Sequence, residues 1–81
     1  MIIDNDTSVK TEYSGDAQPV IQNLGPGVLY IGSTDNDLPT NGLQLPVGAV
    51  YEYPAKLVDG AGAVWLCATG GNCDVRLLNV G

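Results

Sequence analysis

Eleven glycines and five prolines divide this 81-residue chain into short pieces, and the apolar residues between them are mostly Val, Ile, Leu and Tyr. Pieces this short do not sustain a helix, whose first turn is costly to nucleate, whereas β-branched and aromatic side chains suit a pleated, half-buried surface. The spacing predicts strands at 8–13, 20–23, 28–31, 43–45, 49–53, 63–68 and 74–78. About seven short strands at close intervals predict an all-β fold, a small antiparallel β-sandwich or β-barrel. A chain of this length buries only about 60% of the surface its unfolded form exposes, so one domain is expected, stabilised further by association.

Each punctuation point has a turn chemistry. Gly25-Pro26-Gly27 pairs the fixed φ of proline with a permissive glycine, and is read as a turn between the second and third strands. Gly70-Gly71 is read as the turn of a carboxy-terminal hairpin, and Asp59-Gly60-Ala61-Gly62 as another turn. Pro54 ends the fifth strand, because it cannot donate to a ladder, and helix competes only over 55–59.

Alternation assigns faces. In Ala49-Val50-Tyr51-Glu52-Tyr53 the two tyrosines share a face with Ala49, opposite Val50 and Glu52. Val64-Trp65-Leu66-Cys67-Ala68 is apolar on both faces, as in a central strand covered on both sides, and Val75, Leu77 and Leu78 continue that character. The first seven residues show no period, and are read as a frayed terminus, or alternatively a flexible arm, preceding a β domain at 8–81.

Composition excludes several classes of function. Nine acidic residues against Lys10, Lys56 and Arg76 give a net charge of −6, with the cations scattered. Phosphate neutralisation needs clustered Lys or Arg, so neither nucleic acid nor an anionic membrane surface is an expected partner. Met1-Ile2-Ile3-Asp4-Asn5-Asp6 lacks the basic and apolar regions of a secretory signal, and the longest run without a polar side chain, 61–68, is far shorter than a membrane span. Synthesis in the cytoplasm is the expectation.

The absence of histidine removes the Ser-His and Cys-His catalytic devices and His-rich zinc sites. A small enzyme would need a carboxylate pair such as Glu52 with Asp59 or Asp74, for which spacing gives no support, so no enzyme and no cofactor are expected. The repeated Asp-Asn-Asp at 4–6 and 35–37 offers hard oxygens but lacks the Gly and distal Glu of a calcium loop, and is read as turn chemistry. Cys67 and Cys73 flank the glycine pair; they are either buried free thiols or a disulfide across a tight hairpin. Tyr51, Tyr53 and Trp65 are read as core or contact residues, with a glycan-stacking platform as the alternative.

Val20-Ile21-Gln22-Asn23, Val28-Leu29-Tyr30-Ile31-Gly32, Asn41-Gly42-Leu43-Gln44-Leu45-Pro46-Val47-Gly48 and Val50-Tyr51-Glu52-Tyr53 together resemble small structural proteins of tailed bacteriophages. The likeness extends from Val20 to Leu78, and departs from the looser pattern in the Leu24-Gly25-Pro26-Gly27 insert and the two cysteines. The resemblance implies a virion component of the capsid decoration, cement or head-fibre type. Its partners would be the major capsid protein or another virion protein, in a homo-oligomer. On that reading Trp65, Leu66, Leu77 and Leu78 bury surface against a neighbour, and the arm carrying Ile2 and Ile3 reaches over the shell.

Overall fold

The structure is a computed structural model that describes residues 1–12, 18–34, 38, 40–53 and 63–79. It is all-β, one antiparallel sheet of six strands: β1 (Ile2–Ile3), β2 (Ser8–Glu12), β3 (Pro19–Gly32), β4 (Leu43–Leu45), β5 (Val50–Glu52) and β6 (Ala63–Asn79). Among the described residues no helix is long and apolar enough to cross a membrane.

Two strands dominate. β3 has 14 residues and β6 has 17, and they pair with each other from Pro19↔Asn79 to Gly32↔Trp65. At ~3.3 Å per residue a straight β6 would measure roughly 56 Å. The longest extent of the whole molecule is 33 Å, so the ribbon bends. The bend lies where the register shifts, between Asn23 and Val28 on β3 and between Thr69 and Val75 on β6. The expected turns at Gly25-Pro26-Gly27 and Gly70-Gly71 are therefore not chain reversals. Each is a kink inside one continuous strand, which merges four expected strands into two.

The short strands complete two four-stranded halves. β2 pairs with the first part of β6 and β4 with the second part of β3; β1 pairs with the second part of β6 and β5 with the first part of β3. β1 and β2 thus form one interrupted edge and β4 and β5 the other, with β6 and β3 between them. Every interruption contains a residue of positive φ: Asp6 at 60°, Gly25 at 80°, Gly48 at 86°, Gly70 at 71° and Gly71 at 136°. The sheet is creased along this line. The Gly25–Pro26 peptide at the crease is cis.

The crease explains the burial pattern. On β3 the odd residues from Pro19 to Ile31 are all buried, without interruption. On β6 the buried inward positions are Val64, Leu66 and Ala68 before the glycines, then Cys73 and Val75 after them. The change from even to odd numbers is the signature of one extra residue in a bulge, because a one-residue slip turns side chains to the other face. Ile3, Ile21, Leu29, Ile31, Leu45, Val64, Leu66, Ala68, Cys73 and Val75 then form a single cluster drawn from both halves, with Val9, Ala49, Tyr51 and Tyr53 packed at its margin. The sheet encloses its own core, as the two layers of a sandwich do.

Close approach of the two kinks requires glycine. A Cβ on Gly27 would run into the carbonyl of Gly71, with the Thr69 oxygen 3.0 Å away. Asn23, fully buried, ties the crease together. Its main chain pairs with Ala49 and Gly48, its Nδ2 donates to the oxygens of Gly27 and Leu45, and its Oδ1 accepts from the Gly25 amide. Among the described residues no buried side-chain polar atom is left without a partner.

Several expectations fall outside the described residues: Tyr13, the 35–37 Asp-Asn-Asp, Pro54, the 55–59 segment and the Asp59–Gly62 turn. Residues 1–7 do not extend as an arm. Ile2 and Ile3 form β1 opposite Asp74 and Cys73, Val75 donates its amide to the Met1 oxygen at 2.7 Å, and Ile3 is completely buried. A two-residue strand is too short to show a period, which is why the segment reads as structureless. Asp4-Asn5-Asp6 does act as turn chemistry: Thr7 donates to the Asp4 oxygen, and the Asn5 side chain accepts from the Gly71 amide.

Candidate contact surface

The crease gives each half an outer face, and the two faces point away from each other across the core. On the half built from β1, β5 and the far parts of β3 and β6, pairing sets side chains in rows. Arg76, Gln22 and Val50 lie side by side in one row, and Leu78, Val20 and Glu52 in the next. Val50 is 50% exposed and Leu78 61% exposed, although both are aliphatic. A shallow hollow of about 200 Å³ lies among Val20, Gln22, Val50, Arg76, Leu77 and Leu78. Ile2, 61% exposed, adds to the same half from the edge strand.

The residues expected to make contacts separate into three groups. Leu77, Leu78 and Ile2 are exposed on this half. Leu66 and Ile3 are core residues with no exposed surface, so neither is available to a partner. Both fall on the inward phase of their strands, where an apolar run read without its register gives no sign of which members face out. Trp65 is half-buried on the opposite outer face, between Lys10 of β2 and Gly32 of β3. The fold does not bring it near Leu78. Val20, Val50, Gln22, Arg76 and Glu52 were not among the expected contact residues, although Val50 carried a legible signal as an aliphatic residue on the wet side of an alternating strand.

Charges around the surface are exposed. Arg76 Nη2 lies 3.5 Å from Asp74 Oδ2, and Lys10 Nζ lies 3.0 Å from Glu12 Oε1 on the other half. Pairs this open contribute little to stability. Glu52 and Asp74 are not brought together: Asp74 is four residues along β6 from Leu78, the residue level with Glu52, a separation of ~13 Å along the strand. Among the described residues no group of three or more His, Cys, Asp or Glu could hold a metal ion.

Cys67 and Cys73 are free thiols and both are buried. They do not flank a hairpin, since the segment between them is the β6 bulge. Burial, and secondarily the neighbouring Cys67, pushes the Cys73 thiol above its ordinary value. Tyr51 and Tyr53 pack edge to face, ring centroids 5.1 Å apart at 80°, against the margin of the core. They form no platform with Trp65, which lies on an outer face.

Comparison with protein families, curated proteins and solved structures finds no match in any of the three.

Proposed function

We propose that this chain is a non-enzymatic virion structural protein that decorates or cements a tailed-phage capsid through repeated protein–protein contacts. The observation that carries the reading is the exposure of large aliphatic side chains on a very small molecule: Ile2, Leu24, Leu43, Val47, Val50, Leu77 and Leu78 are each at least 40% exposed. Val20, Val50, Leu77 and Leu78 line one hollow, and exposed apolar surface that is contiguous in this way marks interaction sites. The resemblance of the Val20–Leu78 segment to small phage structural proteins supplies the class of partner, the major capsid protein or another virion protein.

Docking also answers the thermodynamics of a short chain. Anything that binds the folded form alone stabilises it by mass action, and identical sites on a symmetric shell multiply a modest contact into high occupancy. The test is to mix the purified protein with tailed-phage capsids assembled without it, pellet the particles and count bound copies. Occupancy that saturates at an integral multiple of the shell's repeating unit supports the reading. Particles that carry none at saturating protein remove it.

A further inference from the structure

The face bearing Val20, Val50 and Leu78 has a charge pattern that complements itself. Its two rows make a small rectangle: Arg76, Gln22 and Val50 above, Leu78, Val20 and Glu52 below. Arg76 and Glu52, of opposite sign, occupy one pair of opposite corners. The aliphatic Leu78 and Val50 occupy the other.

We infer that the chain pairs with a second copy of itself through this face, about a two-fold axis running over Leu78 and Val50. That axis sets Leu78 against its own symmetry mate and Val50 against its own. It also brings Arg76 of each copy, which lies 3.5 Å from Asp74 of its own chain, beside Glu52 of the other. An isologous interface requires this reciprocity, in which residue i meets j and j meets i.

Strand spacings fix the geometry. Columns ~4.8 Å apart and alternate residues ~6.7 Å apart place the axis obliquely, so strands of the two copies cross at about 70°. That is close to the orthogonal class of sheet packing, in which aliphatic corners interlock. The 200 Å³ hollow beside Leu78 gives the facing leucine somewhere to seat. Axes parallel or perpendicular to the strands are worse, because each sets Glu52 of one copy over an aliphatic residue of the other.

The pair is expected to be weak. Interfaces of standard size bury ~800 Å² per partner, which a molecule of 33 × 24 × 18 Å reaches only by committing an entire face. Each copy also carries a net charge of −6. The inference stands apart from the virion reading: a pair in solution that binds no capsid removes that reading alone, and a monomer that binds capsids removes this one alone. A pair would leave Leu24 and Val47 at the crease, and the opposite outer face, for a shell.

Sedimentation equilibrium of the intact chain, carried to about 1 mM so that a weak interface is populated, decides it. The expected result is a monomer–dimer equilibrium that Leu78→Asp abolishes. Arg76→Glu and Glu52→Arg should each weaken the dimer at least about tenfold, and the double exchange should restore it to within about threefold of the parent. All of these positions are on the outer face, and circular dichroism confirms that each variant is folded. A parent that stays monomeric overturns the inference and assigns the face to a different protein. So does a dimer indifferent to Leu78→Asp, or a double exchange that fails to restore what the single changes lose.

Discussion

Asn23 and Leu45, 22 positions apart in the chain, are joined by a 2.9 Å hydrogen bond from the Asn23 Nδ2 to the Leu45 main-chain oxygen. The same amide nitrogen reaches the Gly27 oxygen at 3.0 Å, and the side-chain oxygen takes the Gly25 amide at 2.9 Å. One buried side chain therefore satisfies three main-chain groups that the crease removes from the ladder. Asn23→Ala strands them without water, and leaving buried polar groups unsatisfied costs about 1–3 kcal/mol each, so a loss of roughly 3 kcal/mol or more in urea unfolding is expected. Asn23→Asp has no donor for the two carbonyls when ionised. Its folded-state pKa should be raised above the unfolded value, so the variant should lose stability as pH rises from about 4 towards 7.

Gly27 and Gly70 lie at the same crease and differ in what surrounds them. A methyl group on Gly27 meets the Gly71 carbonyl, whereas one on Gly70 has nothing within 4 Å. Gly70 nevertheless has a φ of 71°. Gly27→Ala must push two main chains apart, and overpacking of this kind costs about 1–3 kcal/mol or more. Gly70→Ala should cost only the left-handed backbone term, about 1–2 kcal/mol, and Gly70→Asn less than that. Thermal denaturation of the three variants should rank them in that order.

Ile2 and Ile3 are neighbours with opposite expectations. Ile3 has no exposed surface and Ile2 is 61% exposed. Ile3→Ala opens a cavity under β1 and should cost about 2–5 kcal/mol, while Ile2→Ala should stay within about 0.5 kcal/mol. Equal, small effects in chemical denaturation would restore the picture of a loose amino-terminal arm.

Cys73 makes stability depend on alkaline pH. Its thiol is raised above the ordinary 9.0 by burial first and by Cys67 second. In the unfolded chain the group loses its proton at that ordinary value, while the folded chain retains it. Above about pH 9 the unfolded state therefore binds fewer protons, and the stability contribution, fully present below that pH, declines as pH rises towards the folded value. Cys73→Ala should flatten this decline in unfolding curves taken from pH 8 to 10.5. The same burial predicts that neither thiol reacts with a water-soluble disulfide reagent at pH 8 until the protein unfolds.

Local chemistry alone determined that the chain is all-β. The spacing predicts β4 at 43–45 with its observed bounds, alternation sets Tyr51 and Tyr53 on one face opposite Val50 and Glu52, and the 64–68 run predicts a central strand, where β6 does lie; that the tyrosine face is the inner one comes from the fold. These readings depend on propensity and a two-residue period, which neighbouring residues carry between themselves. Tertiary structure decided whether Gly25-Pro26-Gly27 and Gly70-Gly71 reverse the chain or only crease it. Glycine and proline permit both, and only the long β3–β6 pairing, made by residues up to 60 positions apart, selects the crease. That pairing also put Leu66 inside, parted Trp65 from Leu78 and set Arg76 beside Gln22, while the β1–β6 and β3–β5 pairings put Ile3 inside and Val50 beside Gln22. Which side chains share a face is a property of register between distant strands, and no local run of residues contains it.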